Sequence, residues 1–452
     1  MAGLTLTEAV PLGPKTHLLI LALLEIIMYF DRGFIPGALT LLKGAGNIDG
    51  AEDNEGMLAT ALMLGIMIGS PVFATLGRKS AEHTMLSITA GVALYSVSCL
   101  LTFFFGTHFG YPLIFLRFLT GFSQSAFCTL SPAIVNQSAP VHKASSYIGI
   151  FFMALYFGIA SGTVVGGQMG TWSRAIYVYL GLAVIMLPFI ALLTICRKRF
   201  LVPSSESSGD EVALSKRELL KVVCRNQTFW WMTIGYGAFM FFAGGLSFWA
   251  PTVIQEMYGI STERASFFFG LCTVVSGILG TAMGGKFMDS INKKYVNSDN
   301  PRAKDISSDS LRAHLAARIS ALMILGSIPF IIAVPFAPND IVFFTLIAPA
   351  ELLLFATTAP CNIAIMMAVP EAARGQALGM SVAVSHLIGD VPSPWIIGKI
   401  YKSFPDNHKQ GGFVALEVCA VAVVVCGISW FVGSRVARKE GSRLYRKDNV
   451  VE

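Results

Sequence analysis

Residues 18–42 read LLILALLEIIMYFDRGFIPGALTLL. A helix rising about 1.5 Å per residue needs about 20 residues to cross about 30 Å of hydrocarbon, so this run is long enough to span a bilayer. Its interior nevertheless holds Glu25, Asp31 and Arg32. An ionisable group at mid-bilayer costs about 2.5–3.5 kcal/mol on insertion scales, so three of them in one span ask for a reason.

Eleven more runs of similar length follow. In the first half they are Met57–Leu76, Thr84–Gly106, Tyr111–Val135, Ser146–Met169 and Ala175–Cys196. In the second half they are Phe229–Tyr258, Ala265–Met288, Ala313–Phe336, Ile341–Val369, Ala377–Tyr401 and Phe413–Val432. The pattern predicts an all-α membrane protein of twelve transmembrane helices in two pseudo-symmetric six-helix bundles. The expected parts are an N-terminal tail (1–16), a first bundle (17–196), a central loop (197–228), a second bundle (229–434) and a basic tail (435–452). The first sixteen residues lack the basic start of a signal peptide, and the apolar run continues past any small-residue cleavage position. Span one is therefore expected to be retained.

Composition agrees with this reading. Hydrophobic residues make up 54% of 452 and charged residues only 13%, with a mean hydropathy of +0.64. Soluble domains carry nearly twice that share of charge. The net charge of +6 sits in short loops between apolar runs, which argues against nucleic acid as a partner. Eight cysteines are scattered without a Cys-x-x-Cys pair, so neither a zinc site nor a disulfide framework is indicated. The sequence shows no Walker motif, nucleophile elbow or metal-ligand cluster. It therefore predicts no enzyme, no cofactor and no ATP-driven step. The expected partners are a small amphiphilic solute, protons and the lipid bilayer.

Lys and Arg bias in the loops sets the expected orientation. With a cytoplasmic N-terminus, the inner segments hold Arg78-Lys79, Lys143, the central loop from Arg197-Lys198-Arg199, Lys293-Lys294, Arg374 and the basic tail. The first outer loop is acidic, with Asp49, Glu52, Asp53 and Glu55. Both termini are thus expected inside, where Asn136 and Asn226 of two glycosylation-type triplets stay unmodified. Within the central loop, Leu214 to Val223 reads as an amphipathic surface helix. The halves echo each other around that loop. Pro140 and Lys143 follow span four as Pro370 and Arg374 follow span ten. Gly77-Arg78-Lys79 closes span two, as Gly284-Gly285-Lys286 and Asp289 close span eight. Parallel repeats of this kind are the layout of alternating-access carriers, whose site lies between the halves at mid-membrane.

The intramembrane polar residues are the candidate site. Glu25, Tyr29 and Arg32 fall at i, i+4 and i+7, on one helix face, whereas adjacent Asp31 and Arg32 point about 100° apart. Asp31 reads either as a proton-titrating carboxylate or as half of a buried salt bridge. Arg32 reads as a binder of an anionic head group or as the holder of Asp31's charge. In span four, Arg117 shares a face with Gly121, which admits a neighbouring helix or a ligand. Arg117 either grips phosphate bidentately or packs against backbone carbonyls. In span eleven, His386 and Asp390 stand at i, i+4. This pair can hold or pass a proton near neutral pH, or serve as a structural contact. The segment then runs into Pro392 and Pro394, whose missing donors are expected to kink it. Glu351 in span ten has no evident partner and reads as packing. Phe248 and Trp249 follow Gly244-Gly245 and precede Pro251 in span seven. They either line an apolar chamber or face lipid.

The strings Tyr29-Phe30-Asp31-Arg32, Arg117 to Gly121, Gly245-Leu246-Ser247-Phe248-Trp249-Ala250-Pro251 and His386 through Asp390 to Pro394 resemble the major facilitator superfamily, in particular its Spinster branch. The resemblance covers nearly the whole chain. It implies movement of lysophospholipids or sphingoid lipids such as sphingosine phosphate, linked to protons. It makes Asp31 and Arg32 the coupling and head-group residues and Arg117 the superfamily's span-four arginine. Two departures stand out. The family usually carries a glutamate shortly after the span-four glycine, where this chain has Gln124. Coupling is then altered, lost or carried by Asp31 alone. The loop after span two usually has an acidic residue near its glycine. Gly77-Arg78-Lys79-Ser80 lacks it, so the inner gate is weaker or rests on Asp289. The rival readings are a carrier of small organic anions, using the same two arginines, and a non-transporting lipid sensor or scaffold that kept the fold.

Overall fold

The computed structural model describes residues 13–44, 55–77, 81–106, 110–139, 144–196, 216–291, 308–370 and 373–448. Among them every regular element is helical. Spans one to five are Pro14–Gly44, Gly56–Gly77, Ala81–Phe105, Tyr111–Ser138 and Ala144–Gln168. Span six starts as a single turn, Trp172–Ala175, and continues as Tyr177–Ile195. The amphipathic helix is described over Lys216–Arg225; Leu214, where its pattern begins, lies outside the described residues.

Spans seven and eight are Gln227–Tyr258 and Thr262–Ile291. Span nine is Ser308–Ala333 with a 3-10 turn, Val334–Phe336. Span ten comprises Asp340–Ala356 and Thr358–Met367. Span eleven comprises Arg374–Ser385, a π-turn at His386–Asp390 and Ser393–Lys402. Span twelve is His408–Asp448. Spans one to six make one compact unit. Span seven and spans nine to twelve make the other, with span eight divided at Gly270 between the two.

Ten of these helical stretches are long and apolar enough to cross a membrane, among the described residues. The two others are span one, with three charges inside eight residues, and span eleven, broken by its π-turn. These are the spans that carry Asp31 and Asp390.

Without a hydrophobic force between helices in lipid, close association depends on small residues that let backbones touch. Spans one and five meet this way. A side-chain carbon on Gly162 would strike the Phe30 carbonyl, and one on Gly33 would strike that of Ile159. Spans two and four do the same where Gly121 lies on the Leu62 carbonyl. The close neighbour that Gly121 admits is therefore a helix, not a ligand.

Span seven is the most enclosed. Its central stretch is 72% buried, against 28% for span six. Its aromatic residues Phe239, Phe242, Phe248 and Trp249 are core, so the lipid-facing alternative fails for them. The start of span seven is tied down by Asn226. Its Oδ1 accepts from the Phe229 amide at 2.7 Å, and its Nδ2 donates to the Ala368 carbonyl at 2.7 Å. This is an N-cap.

Placing a branched side chain at Gly162 forces spans one and five apart. Gly162→Val is expected to cost about 1–3 kcal/mol, read as a lowered thermal midpoint in detergent. Replacing outward-facing Gly149, which has nothing within 4 Å, with alanine leaves the midpoint unchanged.

Candidate functional site

In the first bundle, Asp31 and Arg117 are 0% and 2% exposed. Arg117 Nη1 lies 2.8 Å from both carboxylate oxygens of Asp31. The structure thus decides two open questions. Asp31's charge is held by Arg117 and not by its neighbour Arg32, because adjacent helix positions diverge. Arg117 in turn is engaged by a carboxylate and not by backbone carbonyls.

Gln124 joins the pair to Arg32. Its amide nitrogen donates to the Met28 carbonyl at 3.1 Å and lies 3.4 Å from Asp31 Oδ2. Its carbonyl oxygen accepts from Arg32 Nε at 3.3 Å. An amide can donate to one group and accept from the other, whereas an ionised carboxylate only accepts. A glutamate here would set a second negative charge beside Asp31.

Arg32 itself is half-buried. Its guanidinium lies 4.0 Å from the centre of the Tyr29 ring, a cation–π contact. Its Nη2 reaches Cys128 Sγ at 3.5 Å. The common face expected of Tyr29 and Arg32 is real. Cys128 stands four residues after Gln124 and so shares its helix face. Glu25 is 2% exposed, and its Oε2 has no hydrogen-bond partner.

In the second bundle, His386 Nδ1 and Asp390 Oδ2 are 2.7 Å apart. The anticipated proline kink takes the form of a π-turn, in which the Val391 amide donates to the His386 carbonyl at 3.0 Å. The extra residue in that turn brings Gly389 against the Gly237 carbonyl and Asp390 against Gly244. Trp249 Nε1 donates to the Pro394 carbonyl at 2.7 Å, and the indole packs on Tyr401 and Phe248.

The space around Trp249 is thus largely filled by its neighbours. The void beside Trp249, between Gly245, Ile397 and Cys419, measures about 10 Å³. That is room for about one water. Trp249 thus holds spans seven and eleven together.

Glu351 has a partner after all, since Thr273 Oγ1 donates to its Oε1 at 3.5 Å. Among the gate residues, Gly77 closes span two beside Leu130. Arg78 and the side chain of Asp289 lie outside the described residues. A contact the sequence did not signal is Arg374 Nη2 to Asp309 Oδ2 at 2.8 Å, which ties the start of span eleven to that of span nine.

Two compact helical units, with ten helical stretches among the described residues long and apolar enough to cross a membrane, define a polytopic membrane protein. The chain matches the Major Facilitator Superfamily profile over residues 21–394, and it belongs to that superfamily of transporters. It is 26% identical to the probable sphingolipid transporter spinster homolog 2 of Arabidopsis thaliana, over 93% of this chain and 88% of that one. It is also 26% identical to spinster homolog 1 of Xenopus laevis, over 93% and 82%. A solved structure of a bacterial homolog of the human lysosomal transporter Spinster aligns with a TM-score of 0.73 at 16% identity, over 95% of this chain and 98% of that one.

Removing one member of a buried ion pair leaves the other unpaired, at about 3–5 kcal/mol. Arg117→Gln is thus expected to lower the unfolding midpoint in detergent sharply. Adding Asp31→Asn to the same protein is expected to restore part of the loss. An additive double mutant would show that the two side chains do not act as a pair.

Proposed function

We propose that this transporter moves an amphiphilic lysolipid or sphingoid lipid across the bilayer by alternating access, linked to protons. The observation that carries the reading is Arg32. Its guanidinium rests on Tyr29 and is steadied by Gln124 and Cys128, three neutral groups. A guanidinium so placed offers a fork of donors to phosphate. The names of the spinster relatives support the lipid class.

In this proposal Asp31 is a coupling residue. A proton on it removes the charge that holds Arg117, which then joins Arg32 and Gln124 at the head group. His386 and Asp390 form the second bundle's proton-accepting pair, because imidazole and carboxylate exchange a proton near neutral pH. Gly77, Arg78 and Asp289 form the inner gate, and both termini face the cytoplasm, as the basic loops require.

The test is uptake of labelled lysophospholipid into proteoliposomes, with and without an inward proton gradient. The wild type is expected to show gradient-stimulated uptake, which Asp31→Asn loses. Arg32→Gln is expected to reduce uptake of an anionic lysolipid by about 10- to 150-fold, the loss of a hydrogen bond to a charged group worth about 1.5–3 kcal/mol. No uptake above empty liposomes, in protein shown to be folded and inserted, removes the reading in favour of a small-anion carrier.

A further inference from the structure

The function proposed above leaves the helix Lys216–Arg225 without a part. Its sequence, KRELLKVVCR, sets four bases against one acid, Glu218. Successive helix positions turn by about 100°, so Arg217, Lys221 and Arg225 at i, i+4 and i+8 form one stripe about 80° wide. All three are exposed. Val223 is fully buried, on the side that packs against spans seven and eleven. Between that buried line and the basic stripe stand Leu220 and Cys224, both exposed. The helix therefore turns one side to its own bundle, an apolar flank outward, and a row of cations beyond that flank.

The bundle holds this helix at a fixed level. Trp230 Nε1, one turn into span seven, donates to the Cys224 carbonyl at 2.8 Å. The far end of span twelve is bonded to the same turn, where Glu440 accepts from Thr228 Oγ1 at 2.6 Å and from the Gln227 amide at 3.3 Å. Exposed Trp231 lies against Gly433 of span twelve. Two residues on, Arg435 sets its guanidinium 4.7 Å from the centre of the exposed Phe431 ring. Tryptophans gather at the head-group level of a bilayer. An arginine whose stem runs along apolar surface keeps its charge at that level too. Trp231 and Arg435 thus mark the edge of the bilayer, and the helix bonded to Trp230 lies at that edge.

We infer that Arg217, Lys221 and Arg225 dock on the phosphate head groups of anionic phospholipids, with Leu220 set into the acyl boundary. The occupant is diacyl lipid of the surrounding leaflet, and charge complementarity selects an anionic over a zwitterionic one. Through the bond from Trp230, lipid held by the helix steadies the first turn of span seven. The stripe belongs to the second bundle and Arg32 to the first, so the inference stands whatever solute the protein carries.

Thermal unfolding of the purified full chain in detergent, titrated with phosphatidylglycerol or with phosphatidylcholine, tests this. The wild-type midpoint is expected to rise with the anionic lipid and not with the zwitterionic one. The rise shrinks in high salt, because exposed charges are screened. Each cation near an anionic surface strengthens association about fivefold. Arg217→Gln, Lys221→Gln and Arg225→Gln combined are therefore expected to raise the half-maximal lipid fraction about 100-fold. Since the three side chains are exposed, the midpoint without added lipid stays that of the wild type. Arg32→Gln keeps the full response, which separates the stripe from the head-group site proposed above.

Should the triple variant fail to fold, Lys221→Gln alone is expected to shift the half-maximal fraction about fivefold. An unchanged response in these variants overturns the inference, and so does a wild type that responds to both lipids alike. A midpoint that rises with protein concentration and not with phosphatidylglycerol puts a second copy of the chain on the stripe and also overturns it.

Discussion

Asp31 and Arg117 are two charges that neither lipid nor a neutral helix face can accommodate singly, and the first bundle is arranged so that they meet. Their bond is short and reaches both carboxylate oxygens, which suits a pair cut off from water. It also sets demands on everything nearby. Span one must lie close to span four, which requires glycines on span one against span five and on span four against span two. The residue beside the pair must satisfy an acid on one side and a guanidinium on the other. Gln124 meets both demands with one amide. What is left over is Arg32, turned away from the pair by the helical repeat and laid on an aromatic ring.

The second bundle solves a similar problem within one helix. His386 and Asp390 are partners along a single span, and the π-turn that carries them gains a residue of reach towards span seven. Aromatic packing then does what an ion pair does in the first bundle. Trp249, bonded to the Pro394 carbonyl, holds spans seven and eleven, and Trp430 donates to the Met232 carbonyl at 2.9 Å to hold span twelve. The candidate-site pairs of the two halves therefore differ in kind: Asp31 and Arg117 join two helices, whereas His386 and Asp390 share one.

The fold was legible because its signal is long-range in length but local in grammar: runs of about 20 apolar residues separated by basic turns. The common face of Tyr29 and Arg32 was legible for the same reason, since the helical period is a local rule. The partner of Asp31 was not. It lies 86 positions away, and only the packing of spans one, two, four and five brings it near. Span seven misled in another way. Its aromatics have the composition of a lipid-facing helix or of a chamber wall, and composition does not tell either from a helix enclosed by its neighbours. The prolines of span eleven announced a break, but whether the chain bends or inserts a residue depends on what span seven offers. Gly237 and Gly244 offer room for the insertion.

The separation of Asp31 from Arg117 along the chain also bears on how the protein is made. At about 5–20 residues per second, span four emerges roughly 4–17 s after span one. Until then Asp31 has no arginine of span four to meet, and span one carries its charges at a cost of about 2.5–3.5 kcal/mol each on insertion scales. A span in that position is poorly suited to release into lipid on its own. The arrival of span four is thus what completes the neutralisation of Asp31. The ion pair would act as the step that commits the first bundle to the membrane.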